Sequence, residues 1–104
     1  MANRFWLLPL CILLVEPTPN RPPFEMRVVD ERTGLPVPDI RITTDNGIVC
    51  HTLGTGACFW WRSSLMNRDV RFQIQDETNQ FDSIGATLRV THAGQAEIKI
   101  RRRT

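Results

Sequence analysis

The residues best suited to chemistry are Cys50 and Cys58, which flank the glycine-bearing turn Leu-Gly-Thr-Gly. Glycine allows the positive φ that tight turns need, so segment 50–61 is predicted to form a β-hairpin. If the pairing is symmetric about Gly54, the two cysteines face each other. Opposed Cβ atoms lie about 4.5 to 5.5 Å apart, and a disulfide needs about 3.5 to 4.5 Å. The pattern predicts a Cys50–Cys58 disulfide, with two buried free thiols as the alternative.

The candidates for catalysis or metal binding are His51, His92 and the acidic loop 76–85. A metal site needs three or four ligands at workable spacing, and nothing ties the two histidines together in sequence. The loop carboxylates lack the ligand spacing and the glycine of a calcium loop. The serines lack a glycine elbow or a neighbouring base. We therefore expect no catalytic residue, metal or cofactor, and keep a small metal-dependent or hydrolytic enzyme using His51 and this loop as the alternative.

Residues 1–20 have the layout of a secretory signal peptide. Arg4 supplies a positive charge, and an apolar run extends from Phe5 to Val15. A helix of that length covers about 16 Å, against a hydrocarbon core of about 30 Å, so no stable membrane span is expected. We predict a leader over 1–20, a proline-rich linker over 21–23 and one domain over 24–104. A buried N-terminal strand or helix is the alternative for the leader.

Export would also account for the cysteine count. The chain has three cysteines, and Cys11 would be lost with the leader. Cys50 and Cys58 would then remain as a pair in an oxidising compartment, where disulfides persist. The predicted location is therefore secreted, periplasmic or in the cell envelope.

The charge pattern argues against a nucleic-acid partner. Thirteen basic and 11 acidic side chains give a net charge of +2, without a basic stripe that carries interleaved aromatics. The single cluster, Arg101 to Arg103, is predicted to be a solvated tail, with attachment to an anionic surface as the alternative.

From Phe24 onward, apolar and polar residues alternate with a period of two, which is typical of strands with one buried face. Glycine, asparagine and proline mark the turns between them. Seven short strands at this spacing predict an all-β, antiparallel two-sheet sandwich of the immunoglobulin-like or transthyretin-like type. The predicted strands cover 24–28, 40–43, 48–52, 57–61, 70–75, 86–90 and 96–100.

The adjacent residues Trp60 and Trp61 must point to opposite faces of their strand. If Trp60 fills the core, Trp61 and Phe59 share the outer face, where exposed aromatic rings often mark a surface that binds sugar or protein. His51 also points away from the core in this arrangement. The predicted binding residues are Phe59, Trp61 and His51, with burial of the rings under the linker or the loop 76–85 as the alternative.

The run VVDERTGLPVPDIRITTDNG, followed by T-x-G-x-G and an aromatic strand, resembles the opening of carboxypeptidase regulatory-like or transthyretin-like (prealbumin-like) domains. Leu53 stands where that family usually has aspartate. The matching residues are Val28-Val29-Asp30, Thr33-Gly34, Pro36-Val37-Pro38, Thr52 to Gly56 and Cys58 to Trp60.

The resemblance implies an accessory, adhesive or scaffold module more often than a catalyst. The hydroxyisourate hydrolases of this group end in Tyr-Arg-Gly-Ser, whereas this chain has no tyrosine and ends in Arg-Arg-Arg-Thr. We therefore expect a non-catalytic, exported β-sandwich module that binds protein or carbohydrate.

Overall fold

In a computed structural model that describes residues 21–103, this part of the chain forms seven strands in two sheets. The predicted all-β, two-sheet fold is thereby confirmed, while the predicted leader over 1–20 lies outside the described residues. In chain order the elements are β1 (Phe24–Asp30), β2 (Arg41–Thr44), β3 (Val49–His51), β4 (Ala57–Trp60), a 3₁₀ turn (Ser63–Leu65), β5 (Arg68–Gln75), β6 (Ile84–Val90) and β7 (Gln95–Ile100).

One sheet has three strands in the order β4-β1-β7, and the other has four in the order β3-β2-β5-β6. The prediction of a fully antiparallel sandwich is wrong at one place, because β1 and β7 run parallel. The turn 91–94 carries the chain from β6 in one sheet to β7 in the other. No hairpin therefore dictates the direction of β7, and it pairs with β1 in parallel.

The predicted hairpin over 50–61 is also wrong. Strand β3 pairs with β2, and β4 pairs with β1, so the turn between β3 and β4 leads from one sheet to the other. Gly56 positions this turn: its φ is +79°, and an added Cβ would lie 2.6 Å from the carbonyl oxygen of Val28. The backbone N–H of Val28 donates to the carbonyl oxygen of Gly56 over 2.8 Å, which holds the turn against β1.

The Cys50–Cys58 disulfide is present, with Cα atoms 6.3 Å apart. It does not lie within a hairpin but connects the two sheets across one side of the sandwich. Both side chains reach it because they point inward from β3 and β4. The disulfide prediction is thus confirmed, whereas the geometry from which it was argued is not.

The core lies between the sheets and is formed by the inward side chains of the alternating strands. Trp60 packs on Phe72 with ring centroids 5.4 Å apart, and its indole N–H has no hydrogen-bond partner among the described residues. The fully buried apolar side chains include Met26, Val28, Ile42, Leu65, Val70, Phe72, Ile74 and Val90.

Hydrogen bonds within the acidic loop between β5 and β6 fix its conformation. Asp76 accepts hydrogen bonds from the hydroxyl and backbone N–H of Thr78 and from the backbone N–H groups of Gln80 and Phe81. Phe81 is buried in the core. The loop is therefore an ordered part of the domain.

The C-terminal residues pair with this loop. Phe81 and Arg102 form an antiparallel bridge, and the Arg102 guanidinium lies 4.6 Å from the centre of the Phe81 ring. Arg101 and Arg103 form ion pairs with Glu31 and Asp82. The segment expected to be a solvated tail is instead attached along the end of the sandwich.

Candidate functional site

Strand β4 carries the aromatic residues that the sequence singled out. Cys58 and Trp60 point inward and are buried, whereas Phe59 points outward and is half-buried. Trp61 follows the strand and is 61% exposed. The alternation predicted for these residues is therefore present, and neither the linker residues 21–23 nor the loop 76–83 covers Trp61.

Phe59 and Trp61 form a pair of neighbouring rings, with centroids 5.9 Å apart and planes inclined by 34°. We refer to the outer surface of the three-stranded sheet around this pair as the aromatic face. In the antiparallel register Phe59 lies beside Glu25, and in the parallel register Glu25 lies beside Gln95. Phe59 therefore adjoins Glu25 of the neighbouring strand β1, and Gln95 lies one strand further along the same face.

A shallow groove of about 370 Å³ lies next to these residues and is lined by Glu25, Arg27, Gln95, Ala96 and Glu97. Glu25 and Arg27 form an ion pair of 3.0 Å, which leaves Glu97 as the uncompensated charge among the groove residues. The carboxylate, guanidinium and amide groups offer hydrogen-bond donors and acceptors beside an apolar ring pair. This combination suits a ligand that has both C–H surfaces and hydroxyl groups.

The structure does not bring His51 to the aromatic face. His51 belongs to β3 of the other sheet and lies on its outer surface, where Nε2 is 3.5 Å from Oε1 of Glu77. Arg41, directly opposite His51 in the register, contacts the same carboxylate at 3.4 Å. The predicted set of three binding residues thus separates into Phe59 and Trp61 on one sheet and His51 on the other.

The His51–Glu77 pair is an open surface contact. Both side chains are at least half exposed, and neither lines the groove beside the aromatic face. Exposed pairs of this kind contribute about 0 to 1 kcal/mol to stability. His92 lies elsewhere, with Nδ1 3.2 Å from the carbonyl oxygen of Pro22.

The carboxylates of the acidic loop do not gather around a common point. The carboxylate of Asp76 accepts hydrogen bonds from backbone N–H groups of its own loop, and Asp82 forms an ion pair with Arg103. Within residues 21–103, no group of three or more histidine, cysteine, aspartate or glutamate side chains has the geometry to hold a metal ion.

Two carboxyl groups have lowered pKa values. Burial raises the pKa of Asp76, but the hydrogen bonds from Thr78, Gln80 and Phe81 outweigh it, and the net shift is downward. The hydrogen bond from Arg68 is the largest cause of the lowered pKa of Asp45, which also accepts from the backbone N–H of Arg71. Both shifts reflect carboxylates that organise loops.

Sequence reasoning missed a larger groove of about 520 Å³ at the end of the sandwich where β1 finishes. Its walls include Leu35, Phe81 and the nearly buried Asp30, whose carboxylate lies 3.9 Å from Nε of Arg102. The loop 31–40, the loop 76–83 and the C-terminal residues meet there. No local signal in the sequence shows that these three distant segments converge.

No helix among the described residues is long and apolar enough to cross a membrane. No protein-family model matches the chain, and no curated protein matches it either. The site must therefore be interpreted from its own geometry.

Proposed function

We propose that this protein is a non-catalytic, exported β-sandwich module that binds carbohydrate through the aromatic face. The observation that carries the proposal is the exposed Trp61 ring beside the half-buried Phe59 ring at the end of β4, where Trp60, between them in sequence, is buried. A large exposed aromatic side chain next to a groove usually marks a binding surface.

Carbohydrate suits this face better than a protein surface does. The C–H face of a pyranose packs on aromatic rings, and its hydroxyl groups need donors and acceptors at the margin. Glu25 supplies such a group beside Phe59, and Arg27 and Gln95 supply more in the adjoining groove. Glu25 and Arg27 compensate each other, and Glu97 leaves the groove with a negative charge. The face therefore favours an uncharged glycan over a strongly anionic one.

The position of Phe59 also favours a binding role. It follows Cys58, whose disulfide fixes β4 to the opposite sheet. A ring pair on a rigid strand loses little conformational freedom when a ligand binds, which favours affinity.

Export and family membership form part of the same proposal. The Cys50–Cys58 disulfide is typical of proteins in oxidising compartments, and the N-terminal pattern favours secretion or residence in the periplasm or cell envelope. The run from Val28 to Gly47 supports a carboxypeptidase regulatory-like or transthyretin-like domain. Two packed sheets are compatible with that assignment.

The alternative, a small hydrolytic or metal-dependent enzyme, depends on His51 and Glu77. Their 3.5 Å separation is longer than the distance of about 2.6 to 3.2 Å in a direct proton-transfer contact. Their surroundings also favour a surface ion pair, since Arg41 binds the same carboxylate and both side chains face solvent. His51 therefore serves as the control position in the binding experiment.

The proposal is tested by applying the full chain to a glycan array, together with Trp61→Ala and His51→Ala. We expect wild type to bind a neutral glycan and Trp61→Ala to bind it at least about tenfold more weakly, as expected for an aromatic hot spot. His51→Ala should match wild type. All three proteins should share one circular dichroism spectrum.

Two results would overturn this function. One is a wild-type protein that binds no glycan on the array. The other is glycan binding that survives Trp61→Ala but is lost in His51→Ala. If wild type instead captures a protein partner and Trp61→Ala releases it, the face is a protein-binding site and the carbohydrate assignment is wrong.

A further inference from the structure

Among the strands of residues 21–103, β6 is the longest edge strand. The four edge strands are β3 and β4 on one side, with 3 and 4 residues, and β6 and β7 on the other, with 7 and 6. The first two are short and are tied together by the disulfide. Long edges with unpaired backbone groups are templates for pairing with another strand.

The direction of the β6 backbone groups follows from one hydrogen bond in β5. The N–H of Arg71 donates to Asp45 over 3.2 Å, on the side of β5 that faces β2. In an antiparallel sheet the N–H and C=O of a residue point to the same neighbour. Arg71 therefore has no ladder bond to its opposite residue, Thr87, whose own N–H and C=O point outward.

Because this direction alternates along a strand, Gly85 and Arg89 point outward as Thr87 does. Among the described residues, none of these three has a backbone hydrogen-bond partner beyond the edge. The C-terminal residues do not cover them, since the tail pairs with 80–82 ahead of β6. The edge presents three donors and three acceptors in a row.

We infer that this edge pairs with β6 of a second copy of the chain, antiparallel and centred on Thr87. This register places Thr87 opposite Thr87 and Gly85 opposite Arg89. Threonine pairs across strands are favourable, and the glycine leaves room for the arginine without bringing like charges together. Each outward backbone donor then meets an acceptor of the other copy.

In the same register, the apolar side chains on the inner face of β6 lie opposite apolar side chains of the second copy. Ala86 lies opposite Leu88, and Ile84 lies opposite Val90. Ile84 is 37% exposed in the single chain, so the pairing covers apolar surface that is otherwise in water. The two four-stranded sheets join into one continuous sheet.

The neighbouring edge β7 is not self-complementary. The backbone N–H of Glu31 donates to the carbonyl oxygen of Ile100, so the backbone groups of Ile100 point towards β1. Because the direction alternates along the strand, the backbone groups of Gln95, Glu97 and Lys99 point outward. An antiparallel pair centred on this strand would place Glu97 opposite Glu97, and like charges directly opposite are destabilising. The structure therefore favours β6 as the pairing edge.

Pairing through β6 leaves the aromatic face free, because β4 lies on the other side of the sandwich. A dimer would present two such faces and gain avidity for a repeating ligand. That consequence depends on the proposed function, whereas the pairing itself does not.

The test is the mass of the full chain by light scattering and sedimentation, over concentrations of about 10 to 300 μM. We expect wild type to reach twice the chain mass and Thr87→Pro to remain at the single-chain mass. Proline removes the central outward N–H, and its ring obstructs the second strand, but it breaks no bond to β5. The matched control is Lys99→Pro on β7, which should dimerise like wild type.

A pair of charge variants tests the register independently. Thr87→Lys and Thr87→Glu each place like charges opposite each other and should dimerise several-fold more weakly than wild type. An equal mixture of the two should recover the dimer, because the charges are then complementary. Recovery in the mixture also shows that both variants are folded.

Three outcomes would overturn the inference. The first is wild type at the single-chain mass throughout, which is also the result if residues 1–20 of the same chain cover the edge. The second is a dimer that Thr87→Pro does not weaken. The third is equal weakening by Thr87→Pro and Lys99→Pro. None of these depends on glycan binding, so failure of the pairing and failure of the proposed function are separate results.

Discussion

The two long sides of the sandwich are closed in different ways. On one side the disulfide between Cys50 and Cys58 joins β3 to β4. On the other side β6 and β7 are joined by the turn 91–94, and Arg102 packs on Phe81 near the end of the sandwich. The Phe59–Trp61 pair lies on the side that the disulfide closes, and the unpaired edge of β6 lies on the other side. The proposed ligand-binding surface is thus on the rigid side of the sandwich, and the edge proposed to pair with a second copy is on the opposite side.

The strongest test of this comparison removes the disulfide. We expect the double variant Cys50→Ala/Cys58→Ala to lower the free energy of unfolding by about 2 to 3 kcal/mol, because the unfolded chain is no longer cross-linked. Urea denaturation followed by tryptophan fluorescence measures the change. Reductant should lower the stability of wild type by a similar amount and leave the variant unaffected. A variant as stable as wild type would show that the covalent link does not stabilise this side.

A smaller effect is expected at the loop that leads into β6. Asp76→Asn should lower the free energy of unfolding by about 1 to 2 kcal/mol. The four loop hydrogen bonds are shared between two carboxylate oxygens, and the amide NH2 that replaces one of them cannot accept. Asp82→Asn is the control on the same loop, where an exposed pair with Arg103 contributes about 0 to 1 kcal/mol.

The effect at Asp76 should depend on pH. The folded pKa of Asp76 lies below its ordinary value. Its contribution is therefore fully present above the unfolded pKa, near 3.9, and is lost as the pH falls through the lower folded value. The difference between wild type and Asp76→Asn should be constant from about pH 7 to 5 and shrink below about pH 4. A difference that persists at the lowest pH would contradict the assignment to the carboxylate.

The smallest expected effect concerns the C-terminal attachment. Arg102→Ala should cost about 0.5 to 1 kcal/mol, the usual range for a cation over an aromatic ring. Arg103→Ala, which removes an exposed ion pair, should cost less. Thermal unfolding of the two variants in parallel provides the comparison. Equal melting temperatures would mean that the packing of Arg102 on Phe81 contributes nothing beyond a surface ion pair.

Local patterns predicted much of this fold. The alternation in segments such as 70–75 identified the strands, because one buried face imposes a period of two on the sequence. The same alternation placed Phe59 and Trp61 outside and Trp60 inside, as observed. These predictions succeeded because each depends on residues that are close in sequence.

The arrangement of strands that are far apart in sequence was harder to predict. The turn 53–56 has the composition of a hairpin, and the contact between Gly56 and Val28 that redirects it to the other sheet involves residues far apart in sequence. For that reason His51 could not be assigned to the four-stranded sheet in advance. The groove beside Asp30 is formed by three segments that are far apart in sequence, so no local sequence pattern predicts it.

The central claim is that the aromatic face binds a neutral glycan. The most direct test is an NMR titration of the isotopically labelled full chain with the neutral oligosaccharide that gives the strongest array signal. We predict that the largest shifts occur at the Trp61 indole N–H and at the backbone amides of Phe59, Glu25 and Gln95, while His51 and Arg41 do not shift. Shifts centred on the His51 surface, or around Asp30 at the end of the sandwich, would contradict the account.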